Sequence, residues 1–365
     1  MRRRMRKLHK KTLLLTLVCA SLLGITELFR LIPATADLLD WGADELTECT
    51  KETDACFTED PACYLSKGYG IAAETEPTES AVPAASPADR GPKPYPETWE
   101  LSGEVREVTY TAYSGTRFFD LEHAGQVQNL TTLSNEKLLT ESRLRPAFDI
   151  ALHSEPQVLI MHTHTTESFE PYVREAFDAN FNYRTTDSSK NMVMVGDAIA
   201  AQLEAAGIAV IHDGTIHDYP SYTGSYDRSR ETVRAILEQY PSIKVVLDIH
   251  RDAIGADDVI SQPVAEIGGK KAAQVMIISG CDDGTMGMPN YMQNFRFACL
   301  LQQQMEADYP TLTRPILFDY RKYNQDLTTG SLLIEVGSHG NTLEQAEYAG
   351  ELIGKSLARA LSGLT

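Results

Sequence analysis

The stretch Val158-Leu159-Ile160-Met161-His162-Thr163-His164-Thr165-Thr166-Glu167 sets four apolar residues directly against a run of polar, ligand-type side chains. A short apolar run closed by polar residues is the pattern of a fully buried strand ending in a turn. Two later stretches repeat it. Lys244-Val245-Val246-Leu247-Asp248-Ile249 leads into His250-Arg251-Asp252, and Leu332-Leu333-Ile334 leads into Glu335-Val336-Gly337-Ser338. In open α/β sheets, chemistry collects beyond the carboxyl ends of the strands. If these three strands are neighbours, two imidazoles and two carboxylates meet at one edge. That outlines a hydrolytic zinc site, with three protein ligands, one open position and a spare carboxylate as base.

Around these strands the hydrophobic period switches between two and three to four residues. Helices are expected from about Met192 to Ala206, with Gly207 as the stop, from Asp227 to Tyr240, and from Asn290 to Asp308. Further strands are expected at Ile208-Ala209-Val210-Ile211 and from Gln274 to Ser279. Thr342 with Gln345 fits a capping box, and Ala346, Ala349, Ile353, Leu357 and Leu361 form one apolar face of a final helix. Alternation of strand and helix predicts an α/β fold: a single domain over 156–365 with a largely parallel central sheet flanked by helices. Segment 101–155 reads as a strand and helix extension of that domain, with alternation at Val105, Val108 and Tyr110 and a short helix carrying Leu138, Leu139 and Leu144.

The first hundred residues differ in kind. Arg2, Arg3, Arg4, Arg6, Lys7, Lys10 and Lys11 precede an uncharged apolar run from Thr12 to Ile25, which is the pattern of a secretion signal or signal anchor. Retention of 1–36 as a single-pass membrane anchor is the expectation, with the rest of the chain extracytoplasmic and wall-facing; cleavage after Ala34-Thr35-Ala36 is the alternative. Segment 37–100 is acidic and then rich in Pro, Ala and Glu, a spacer too poor in large apolar residues to bury a core. The formal charge of −18 opposes nucleic acid as a partner, because phosphates are repelled. Cys49, Cys56 and Cys63 are evenly spaced in this segment; outside the cell two can pair and leave one over, and a zinc knot is a weaker reading.

Among the strand-end residues, His164 and Glu167 are three apart, so a tight turn points both at one ion. His162 and His164 are two apart; a turn between them leaves one to reach the ion, and His164 is the choice, with His162 behind it. Glu335 follows three apolar residues, where a carboxylate has the raised pKa an acid/base group needs; a structural ion pair with Arg251 or Arg321 is the plainer reading. His217 and Asp218 either line a cleft or sit on a solvated loop. Arg251 either binds a substrate carboxylate or is structural. No Gly-x-Ser-x-Gly elbow and no phosphate loop is present.

Taken together, Ile160 to Phe169 (IMHTHTTESF), Asp248 to Asp252 (DIHRD), Tyr323-Asn324-Gln325, Leu333 to Asn341 (LIEVGSHGN) and the loop His212 to Tyr222 closely resemble the stage II sporulation protein P family of endospore-forming bacteria. That family is related to zinc-dependent N-acetylmuramoyl-L-alanine amidases. The resemblance implies an amidase-like domain and a membrane-anchored peptidoglycan hydrolase acting in forespore engulfment. It would cleave the amide between N-acetylmuramic acid and L-alanine, and peptide cross-links as well. Zn2+ would be held by His164, Glu167 and His250, with Glu335 catalytic and His162, His217, Arg251 and Asn341 in substrate-binding or supporting places. Sporulation proteins D and M are the implied partners. This chain departs from the general amidases in placing its ligand glutamate only three residues after the first histidine, so Glu167 is the ligand in doubt. Two other classes stay open: a different zinc cell-wall peptidase, and a catalytically silent wall-binding scaffold.

Overall fold

The computed structural model describes residues 98–256 and 258–365. The expected anchor, the spacer and Cys49, Cys56 and Cys63 lie outside the described residues. In chain order the elements are β1 (Leu101–Val108), β2 (Phe118–Asp120), β3 (Gln126–Asn129), α1 (Asn135–Glu141), β4 (Val158–Met161), β5 (Ala176–Asp178), α2 (Met192–Ala205), β6 (Val210–His212) and α3 (Ser225–Gln239). They continue with β7 (Val245–Asp252), β8 (Gly255–Ala256), β9 (Val259–Ile267), β10 (Lys270–Ala273), β11 (Val275–Gly280), α4 (Tyr291–Asp308), β12 (Ile316–Asp319), β13 (Gly330–Ser338) and α5 (Leu343–Ser362). No described helix is long and apolar enough to cross a membrane.

Eight strands form the main sheet in the order β2-β3-β12-β11-β13-β7-β4-β6. Its pairings are parallel except β11 with β13 and β2 with β3. The three strands singled out in the sequence, β13, β7 and β4, are consecutive neighbours near its middle. All four residues of β4 and all eight of β7 are buried, which is why β4 and the opening Val245-Val246-Leu247 of β7 read as apolar runs rather than as an alternation. A second, five-stranded sheet joins β10, β9, β1 and β5, with β8 on β9.

Strand periodicity sorts side chains to the two faces. Val158 and Ile160 on β4, Val245, Leu247 and Ile249 on β7, and Leu332, Ile334 and Val336 on β13 enter the main core with α2, α4 and α5. Leu159, Met161 and Val246 face the other way, toward Val233 on α3. Leu333 shares that second face with Met276, Ile278 and Leu317. The capping box of α5 forms as read, with Thr342 and Gln345 capping each other, and its five apolar-face residues are all buried. Gly207 ends α2 with φ of +77°, a left-handed conformation glycine adopts without strain.

Candidate active site

Where β4 ends, the chain turns sharply: the Glu167 amide donates to the His164 carbonyl at 3.0 Å. The turn separates the two histidines. His162 keeps the strand alternation and points into the α2 side, where Nδ1 bonds the Ile249 carbonyl at 2.9 Å and Nε2 shares a hydrogen bond with His212 Nε2 at 2.9 Å. His212 in turn meets Asp197 at 2.8 Å. Gly196 on α2 makes room for this pair, since an added Cβ would collide with both rings. Burial, then the neighbouring His212, lowers His162 to a pKa of about 3, so it stays neutral.

His164 emerges on the opposite side. It stacks on Tyr222 with ring centroids 4.5 Å apart, and its Nε2 is hydrogen-bonded to the Tyr222 hydroxyl at 3.0 Å. Its ring stands perpendicular to that of His250 at 5.1 Å. His250 lies on the face of β7 shared with Asp248, two residues back. Its Nε2 is 2.8 Å from Asp248 Oδ1, and Asp248 is itself held by the Thr163 amide at 2.8 Å and hydroxyl at 2.7 Å. Nδ1 of His250 makes no hydrogen bond and lies 3.6 Å from Glu167 Oε2. Glu335 is the register partner of His250 on β13, so both side chains leave the same face. His164, Glu167, His250 and Glu335 are each at most 1% exposed.

Electrostatics mark the cluster as a place for positive charge. Burial alone would push the His250 pKa down, yet Asp248, with Glu167 and Glu335 behind it, raises it to about 10. Three buried carboxylates around one imidazole favour a cation at this place. Two imidazoles and a carboxylate are donors that zinc takes. Among the described residues, however, no three His, Cys, Asp or Glu side chains converge closely enough to hold a metal ion. The donors therefore fit zinc in kind and in adjacency, and closure on an ion requires side-chain movement. Glu167 has competing contacts: its Oε2 accepts from the Arg251 amide at 3.1 Å and its Oε1 lies 3.5 Å from Arg184.

The remaining sequence-derived residues serve as braces. Arg251 donates to the backbone carbonyls of Ser168, Asp252 and Tyr183. His217 ties the His162 carbonyl to Thr232. Asp218 anchors the turn through the Thr166 amide at 3.1 Å and pairs with Arg184 at 2.9 Å. Asn341 accepts from the Ser338 amide and donates to Pro263 and Gln345, fixing the passage from β13 into α5. Three residues were missed. Asp248 was legible, since the period of two puts it beside His250. Tyr222 and Tyr226 come from a loop and a helix start that only the fold brings in. The cavity lined by Arg117, Asn129, Ser134 and Asn135 shares no residue with this cluster.

The sequence profile described as Stage II sporulation protein P matches residues 104–360, which includes every residue of the cluster. The chain belongs to the stage II sporulation protein P family. It is 32% identical over 203 residues to Stage II sporulation protein P of Bacillus subtilis (strain 168), an alignment covering 53% of this chain and 48% of that protein. The chain thus spans about half the length of the curated relative it matches. Among solved structures, the N-acetylmuramyl-L-alanine amidase of Mycobacterium abscessus is 12% identical with a TM-score of 0.35, over 58% of this chain and 99% of that one. The N-acetylmuramoyl-L-alanine amidase of Nostoc punctiforme is 11% identical with a TM-score of 0.33, over 57% and 96%.

Proposed function

We propose that this chain is a zinc-dependent peptidoglycan hydrolase that cuts the amide between N-acetylmuramic acid and L-alanine. The observation that carries the reading is the adjacency of three strand ends. β4 delivers His164 and Glu167, β7 delivers His250, and β13 delivers Glu335 on the same face as its register partner. Membership in a sporulation family supports the wall as substrate, and the choice of amide follows the family resemblance. By the same reading the chain acts outside the cytoplasm, tethered by its N-terminal segment, with sporulation proteins D and M as partners.

His164, His250 and Glu167 would hold the metal, and a bound zinc ion supplies Lewis acidity and positive charge where the amide carbonyl reacts. The work of the chain itself is positional and acid/base. Asp248 and Tyr222 fix the ring orientations of His250 and His164 through their Nε2 atoms, as the outer partners of ligating histidines do. Glu335 takes the proton of the attacking water and later returns it to the leaving amine nitrogen. Burial of the whole cluster keeps these interactions strong by excluding bulk water.

The test is digestion of purified peptidoglycan followed by mass analysis. Release of stem peptides with a free L-alanine amine and intact glycan strands is expected. Cleavage confined to peptide cross-links would assign a peptidase, and no cleavage by zinc-loaded protein would leave a wall-binding scaffold.

A further inference from the structure

Three tyrosines surround the cluster, and their hydroxyls differ. That of Tyr222 is hydrogen-bonded to His164 at 3.0 Å, and that of Tyr323 accepts from Arg321 at 2.8 Å. The hydroxyl of Tyr226 is buried and makes no hydrogen bond. A buried phenol without a partner costs stability, so natural chains rarely keep one without a use. Its place suits a use. The Tyr226 ring lies parallel to His250 at 6.4 Å, edge-on to His164 at 5.5 Å and stacked on Tyr323 at 5.2 Å. The residue is half-buried overall, and its hydroxyl oxygen is fully buried.

Much of the surrounding chain fixes this one side chain. Tyr226 is the second residue of α3, whose N-cap Gly224 takes a left-handed φ of +79°. Tyr323 and Asn324, which precede β13, both adopt positive φ, at +43° and +55°. A non-glycine pair in that region is strained and persists where the surroundings enforce it, often at functional sites. Here Asn324 Nδ2 donates to the Tyr226 carbonyl at 2.9 Å and to Ser229 Oγ at 3.2 Å, and Arg230 donates to Asn324 Oδ1 at 3.1 Å. The strained turn therefore clamps the first turn of α3 and presents Tyr323 as the platform behind Tyr226.

We infer that the Tyr226 hydroxyl is a catalytic hydrogen-bond donor to the oxyanion formed at the scissile carbonyl, an inference that rests on the hydrolytic reading above. In the addition step the water oxygen bonds to the carbonyl carbon, one water proton passes to Glu335, and the C=O π pair moves onto oxygen. The Tyr226 O–H donates to that oxygen and transfers nothing. When the C–N bond breaks, the pair returns to the carbonyl, and the nitrogen leaves with the proton Glu335 held. A donor aimed at developing charge in a buried site acts mainly on the transition state.

Tyr226→Phe tests this because it keeps the ring and its stacking and removes only the hydroxyl. Parent and variant are compared for kcat and KM on purified peptidoglycan, zinc content and melting temperature. The inference expects kcat to fall about 100-fold or more, as loss of one oxyanion donor does. KM and zinc content stay near parental values, and the melting temperature is unchanged or higher, since an unpartnered buried hydroxyl is gone. Variant kcat within about threefold of an active parent overturns the inference and leaves the hydrolytic reading standing. Loss of zinc or a lowered melting temperature also overturns it, by assigning the hydroxyl a structural role. A parent that holds zinc and cuts nothing overturns both.

Discussion

Glu335 on β13 and His250 on β7 face each other as register partners across two parallel strands, and both are fully buried. A slip of one residue in either strand would turn its side chain into the opposite, apolar core, so the pairing is fixed by the same alternation that packs Ile334 and Ile249. His250 lies on β7 and His164 in the turn after β4, and neither belongs to the apolar core, so the chemistry can be removed without unfolding the scaffold. His164→Ala and His250→Ala are each expected to lose bound zinc and turnover while far-UV circular dichroism stays parental. A full equivalent of zinc retained by either variant would remove that residue from the ligand set.

Asp248 reaches His250 and Thr163 at once, so it sets the imidazole orientation relative to the turn that carries His164. Asp248→Asn keeps the shape and weakens the acceptor. Zinc affinity is expected to drop about 10- to 100-fold, the usual cost of losing an outer partner of a ligating histidine. Titration with a competing chelator reads this directly, and unchanged affinity would assign Asp248 to folding alone.

Stability has a separate lever four residues further along β7. Asp252 and Arg314 pair at 2.8 Å with side chains 0% and 6% exposed. Asp252→Ala leaves a buried guanidinium uncompensated, which costs about 3–5 kcal/mol. Denaturant unfolding of the variant should show a loss of that size, and a change below about 1 kcal/mol would mean that water reaches Arg314.

The site was legible in the sequence to the extent that it is written in strand ends. Apolar runs of three or four residues followed by His, Asp or Glu announce β4, β7 and β13, with the polar residues placed toward the carboxyl end of each buried strand or just beyond it. The helices were legible too, as Gly207 and the Thr342–Gln345 box mark their limits. Of the second sheet only β1 was, through the alternation at Val105 and Val108. β1 pairs in parallel with β9, more than 150 residues away, and β5 and β8 are three and two residues long, so no local period announces them. β12 is buried at all four residues, and four residues are too few to tell a strand from a buried helix segment by period alone. Tyr226 carries no local signal, because it occupies the first turn of a polar helix and its relation to His250 exists only in three dimensions.

The central claim is that Glu335 is the proton-carrying base beside a zinc site formed by other residues. Glu335→Gln tests it, since the amide keeps the shape of the side chain and cannot take a proton. Zinc content and turnover on purified peptidoglycan are measured on one preparation of the variant. The account predicts parental zinc with turnover reduced about 10²- to 10⁴-fold. Zinc lost together with turnover would make Glu335 a ligand, and near-parental turnover would remove it from the mechanism and contradict the account.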